Sequence, residues 1–270
     1  MAINYSNNLK NLSFKNFYGR FYNVDKDGPL INKFLVFYKN LTIKIKNSFN
    51  KTRKIFNKNK QFKTFVFNFR NIDVEKIKIK FRNDGYCYYE NFLSEDSYTF
   101  LENNWPHKSH FFEPDNPLKN YKFAFRFLKN EKKNNFDSSA IYQFYNFVLS
   151  KKFSNHINDI TGSKGYECYS IVASIAEFKS YLIPHVDTVA DDQNINEIIN
   201  IIFFVNGSNQ PENSGGTGIY IDNEFKNPIL IPKTLRNSVL IYNSKLKFFH
   251  GFNFMKKNTF RKAISFQFKK

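Results

Sequence analysis

At 270 residues, with 34 Phe, 16 Tyr and 41% hydrophobic residues, the chain is too apolar and aromatic to be disordered, and long enough for one large domain or two small ones. Its 2 cysteines, Cys87 and Cys168, form no CxxC or Cys/His finger spacing, which excludes a zinc ribbon, a redox dithiol and a disulfide-stapled fold. The formal charge of +18 invites a nucleic-acid reading, but residues 1–83 hold 19 Lys+Arg against 4 Asp+Glu, leaving residues 84–270 nearly neutral at +3.

Met1–Arg20 is polar and has no continuous apolar run, so no secretory signal is expected; with the reduced cysteines this points to a cytoplasmic protein. Nowhere does an apolar stretch reach the roughly 18 residues that would suggest a membrane span. Residues 31–56 place Ile31, Phe34, Leu35, Tyr38 and Ile45 near helical spacing with lysines between, while Leu41, Ile43 and Ile45 also alternate as in a strand. Such a basic amphipathic segment suits peripheral contact with an anionic surface, or packing on the body with its lysines solvated. Phe65, Phe67 and Phe69 alternate, and so do Ile77, Ile79 and Phe81 against Lys76, Lys78 and Lys80, which predicts half-buried strands. Residues 1–83 are thus expected to form a basic N-terminal extension and 84–270 the main domain.

The main domain opens with a strand over Tyr86–Tyr89 and a helix from Ser94, whose hydroxyl suits an N-cap and is followed by Glu95 and Asp96 at the positive end of the helix dipole. Pro106 marks its stop. A second helix is expected within 138–159, around Ile141, Phe144, Phe147 and Val148. From residue 166 the pattern changes to short strands, YECYSIVASIAEF, SYLIPHV, EIINIIFFVN, TGIYID, NPILIP, SVLIYN and AISFQF, separated by turn residues such as Gly207-Ser208 and Asp222-Asn223. The fold class expected is α+β, a jelly roll or sandwich with flanking helices.

Three features of these strands belong together. His185 and Asp187 stand two apart on an extended segment, so their side chains leave the same face. His250 follows downstream, next to Gly251, which permits a sharp turn or a close approach. Arg261 opens the alternating run RKAISFQF. Two histidines and one carboxylate make the facial triad of non-haem Fe(II), which leaves coordination positions open for a chelating 2-oxo acid and O2. The far carboxylate of that acid then needs a buried cation, and arginine's fork serves better than lysine.

From about Asp84 onward the sequence resembles the Fe(II)- and 2-oxoglutarate-dependent dioxygenases, in particular their prolyl-hydroxylase-like branch. SYLIPHVD, EIINIIFFVN ending at Asn206, SGGTGIYI, NSVLIYNSKLKFFHGF and FRKAISFQF carry the resemblance. It implies a double-stranded β-helix of cupin type, Fe(II) held by His185, Asp187 and His250, and 2-oxoglutarate anchored by Arg261 with help from Ser265. It also implies conversion of 2-oxoglutarate and O2 to succinate and CO2, coupled to hydroxylation of a C–H bond. The sequence departs from the family at Phe204, where a tyrosine hydroxyl often binds the co-substrate, at Phe178 with no Tyr–Gly pair before His185, and in a longer interval from His250 to Arg261. Asp187 argues against a halogenase, which needs that position vacant. A nucleic-acid dealkylase is disfavoured because Ala263 stands where that branch has Asn and no Arg follows Arg261. A non-catalytic jelly-roll module is the remaining alternative. A small molecule, a peptidyl group or a glycan all remain open as substrate.

Overall fold

The computed structural model describes residues 64–68, 73–113, 119–129, 139–186, 198–246 and 248–270. The amphipathic segment 31–56, Phe69 and Asp187 lie outside the described residues.

Val74–Asp84 is a helix, α1, and not the expected strand. Local chemistry explains the difference. The Asp73 carboxylate accepts from the Lys76 N–H at 3.0 Å, Glu75 pairs with Lys78 at 2.7 Å, and Lys80 pairs with Asp84 at 2.6 Å. Gly85, at φ 75, closes the last turn with its N–H on the Phe81 carbonyl at 2.8 Å. Ile77 and Phe81 therefore share a helical face against the core, while Ile79, the member that made the pattern look alternating, is 57% exposed.

After α1 come β1 (Tyr86–Glu90) and α2 (Glu95–Asn103), the latter capped by Ser94 as the sequence predicts. Two elements not foreseen follow, β2 (Lys119–Asn120) and β3 (Lys122–Leu128). The single helix expected within 138–159 is two, α3 (Ala140–Val148) and α4 (Lys151–Thr161). Ser150 separates them: its hydroxyl donates to the Phe147 carbonyl at 2.6 Å and accepts from the Phe153 N–H at 3.3 Å, ending one helix and starting the next. The strands then run β4 (Glu167–Glu177), β5 (Tyr181–His185), β6 (Ile198–Gly207), β7 (Gly218–Tyr220), β8 (Pro228–Leu230), β9 (Ser238–Asn243), β10 (Phe249–Phe252) and β11 (Phe260–Lys269).

All described pairings are antiparallel and fall into two sheets, β1-β9-β6-β11-β4-β3 and β2-β5-β10-β7-β8. One face of the six-stranded sheet packs on the helices. Ile199, Ile201, Phe203 and Val205 of β6 and Ile264, Phe266 and Phe268 of β11 meet Phe144, Val148, Phe153 and Ile157, with Phe65 and Phe67 in the same cluster. The other face looks toward the five-stranded sheet, where Ile202, Phe204, Leu240 and Ala263 meet Ile219 of β7. Because β6 is covered on both sides, it reads as a nearly unbroken apolar run rather than an alternating one.

Asn237 locks the start of β9 to the chain between β1 and α2. Its side chain accepts from the Leu93 N–H and donates to the Leu93 carbonyl, both at 2.9 Å, from a left-handed backbone at φ 46. Asn237→Ala leaves both buried Leu93 groups without these partners and strains the backbone, so it should lower stability by about 2–4 kcal/mol in urea denaturation, with an unchanged m-value.

Candidate active site

A cavity of about 380 Å³ lies between the two sheets, and His185, His250, Arg261 and Ser265 all line it. The five-stranded sheet supplies the histidines. His250 stands opposite His185 in the β10–β5 ladder, which puts their ring centroids 4.3 Å apart. The expectation of a turn beside His250 is replaced by a strand, and Gly251 serves the other purpose foreseen for it, a close approach. A Cβ there would lie 2.5 Å from the Leu182 carbonyl oxygen and 2.8 Å from the Pro184 nitrogen. Only a glycine lets β10 come near enough to β5 for the two rings to converge.

The His185 Nδ1 lies 2.8 Å from the Ile183 carbonyl, which can only accept, so Nδ1 carries the proton and Nε2 presents its lone pair. Tyr242 of β9 packs its ring 5.1 Å from that of His250. Among the described residues no three His, Cys, Asp or Glu side chains gather; the carboxylate read as the third ligand, Asp187, lies outside them.

Arg261 comes from the six-stranded sheet and is 3% exposed. Its Nη1 donates to the Gly215 carbonyl at 2.8 Å and to the Thr217 hydroxyl at 2.9 Å, and Nη2 reaches the Ser174 hydroxyl at 3.4 Å. Aromatic rings surround it, with Phe252, Tyr121 and Phe204 centred 4.5, 5.5 and 6.0 Å from the guanidinium carbon. These are cation–π distances. These neighbours are all neutral, Nε has no hydrogen-bond partner among the described residues, and burial pulls the guanidinium pKa down to about 10. A buried cation surrounded this way is costly until an anion joins it. Gly215 at φ 84 presents its carbonyl to Arg261, which gives the paired glycines of SGGTGIYI a place beside the cation.

Ser265 lies two pairs along β11 from Ala263 and four residues from Arg261, on the same side of the strand. Phe204, at the position where the sequence lacks a hydroxyl, faces Arg261 with its ring. Sequence reading did not single out Ser174, Thr217, Tyr121 or Asn200. For Asn200 the signal was present: it is the one polar residue inside the run Ile198–Val205.

No family model matches the sequence, and no curated protein matches it. Solved structures do match. A prolyl-4-hydroxylase from Pseudomonas putida superposes with a TM-score of 0.52 at 11% identity, over 73% of this chain and 98% of that one. A prolyl hydroxylase from Trichoplax adhaerens, in complex with a hypoxia inducible factor peptide fragment, gives 0.53 at 16% identity, over 73% and 88%. A 2OG-Fe(II) oxygenase family oxidoreductase from Burkholderia pseudomallei gives 0.51 at 10% identity, over 77% and 95%. The fold is that of the prolyl-hydroxylase-like 2OG-Fe(II) oxygenases. In this 2OG-Fe(II) oxygenase fold, the spacing of His185 and His250 depends on Gly251. Gly251→Ala should push β10 away from β5 and cost about 1–3 kcal/mol of stability, read as a lowered thermal midpoint. The same variant should weaken Zn(II) binding in a calorimetric titration.

Proposed function

We propose that the protein is an Fe(II)- and 2-oxoglutarate-dependent hydroxylase, and the observation that carries this is Arg261. Its guanidinium is buried, ringed by aromatics and small hydroxyls, and open to an anion, on the same cavity as two converging imidazoles. A short dicarboxylate spans such a site naturally, one carboxylate on Arg261 and the 2-oxo acid end toward the histidines. Thr217 and Ser174 share the cation's contacts, and Ser265, on the same strand face, adds a hydroxyl donor for the same carboxylate. Tyr121, whose ring also faces the guanidinium, supplies the phenol that Phe204 does not.

His185 through Nε2, His250 and Asp187 would hold Fe(II), a donor set of the kind that leaves open positions. The metal with 2-oxoglutarate and O2 supplies the oxidising chemistry that yields succinate, CO2 and a hydroxylated product. This chain's residues bind and orient the co-substrate and keep water out of a pocket lined by the apolar Leu182 and Ile202, with the Phe204 and Phe252 rings packed against Arg261. The double-stranded β-helix topology and the division into residues 1–83 and 84–270 belong to the same reading. The two antiparallel sheets closing on one cavity support the topology. Among the described residues no helix is long and apolar enough to cross a membrane.

Two measurements test the assignment. Added 2-oxoglutarate should raise the thermal midpoint of the wild-type protein and leave that of Arg261→Met unchanged, while Arg261→Lys should weaken 2-oxoglutarate binding about 10–100-fold through loss of the fork. Succinate release in the presence of Fe(II) should vanish in His185→Ala and His250→Ala. Wild-type protein that neither binds 2-oxoglutarate nor releases succinate would overturn the proposal.

A further inference from the structure

Beyond Ser265 the cavity continues along the six-stranded sheet to a row of polar side chains at one register. Gln267 of β11 stands opposite Asn200 of β6 on one side and Ser170 of β4 on the other. Asn200 in turn stands opposite Tyr242 of β9, the residue that packs on His250. All four line the cavity. Six residues of strand, about 20 Å, separate Gln267 from Arg261, and two, about 7 Å, separate it from Ser265. The row thus lies away from the cation, and its end at Tyr242 packs on His250.

The hydrogen bonds in this row run in one direction. The Ser170 hydroxyl donates to Gln267 Oε1 at 2.9 Å, and Gln267 Nε2 donates to Asn200 Oδ1 at 2.9 Å. Asn200 is 4% exposed, and its Nδ2 is buried with no partner among the described residues. An unsatisfied buried amide costs about 1–3 kcal/mol, so a native chain that places one in a cavity wall has a use for it. Both amide oxygens of the row already accept one hydrogen bond each, and the group left with none is a donor. A hydroxyl ligand would also have to place its own proton, on an amide oxygen that already accepts one hydrogen bond or on a neighbouring hydroxyl. A carboxylate would be buried against neutral donors, with the cation of the cavity at its far end and Arg126 exposed at the rim. The group that fits is a neutral acceptor, a carbonyl oxygen.

We infer that Asn200 is a substrate-binding residue that receives a neutral carbonyl oxygen of the primary substrate, held in its donor orientation by the positioning residue Gln267. This rests on the functional reading above in treating the Arg261 end as the co-substrate's. Seated there, the substrate's carbonyl anchors it beside Tyr242 and His250.

The test uses the full chain and three matched ring probes in ligand-observed NMR titrations: N-methyl-2-pyrrolidinone, an acceptor only; cyclopentanol, both donor and acceptor; and cyclopentanecarboxylate, an anion. The wild-type protein should prefer the pyrrolidinone. Asn200→Asp is isosteric and keeps the bond from Gln267, but removes the Nδ2 donors, so it should weaken the pyrrolidinone about tenfold. Gln267→Leu frees the Asn200 Oδ1 acceptor, so the preference over cyclopentanol should fall while the protein still binds both. Equal binding of the three probes by wild type, preference for the carboxylate, or an unchanged pyrrolidinone affinity in Asn200→Asp each overturns the inference. Loss of that inference with succinate release intact leaves the oxygenase reading standing. Confirmed preference without 2-oxoglutarate binding sinks the oxygenase reading and leaves the carbonyl subsite.

Discussion

The period of two along β11 governs this molecule. Ile264, Phe266 and Phe268 enter the phenylalanine-rich layer beneath the helices, while Arg261, Ser265 and Gln267 reach the cavity on the opposite side. β11 is paired along most of its length by β4 and by β6, so neither face can change without its neighbours moving. A one-residue slip would drive a guanidinium into the aromatic core and expose the phenylalanines to the cavity, a penalty on both sides at once. The apolar layer thus fixes the position of the charged and polar groups.

Against that constraint, the five-stranded sheet is the adaptable partner. Its strands are short, and its contribution is to bring His185 and His250 to one point, which Gly251 allows. The buried guanidinium of Arg261 and the imidazole pair therefore come from different sheets, and their distance is set by how the sheets pack. The side chains that fill this packing between them are Ile202, Phe204, Leu240 and Ile219, with Leu182 and Phe252 nearer Arg261.

Much of this was legible in the sequence because strands report their burial through alternation. The runs at 167–177, 198–207, 238–243 and 260–269 are strands, and Ser94 caps its helix. Alternation misled at Ile77, Ile79 and Phe81, where i and i+4 also fit a helix and the deciding signals were the cap at Asp73 and Gly85. It was silent at Phe249–Phe252, a strand too short to show a period. The residues gathered around Arg261 were harder still. Thr217 and Ser174 are distant in sequence, and only the pairing of β4 with β11 and the turn after Gly215 bring them together. Most of the surplus positive charge lies in residues 1–83, so the buried cation of the cavity, Arg261, stands in a body that is itself nearly neutral.

Pairing on both edges also separates two kinds of inheritance in β11. Backbone bonds, the inward phenylalanines and the buried Ala263 hold the strand in place, so positions 265 and 267 can be rewritten with little effect on folding. The strand is in this sense a fixed rail with an exchangeable upper edge. Descendants of this sequence can alter what the cavity accepts, one outward side chain at a time, while Arg261 and the core beneath it pass on unchanged.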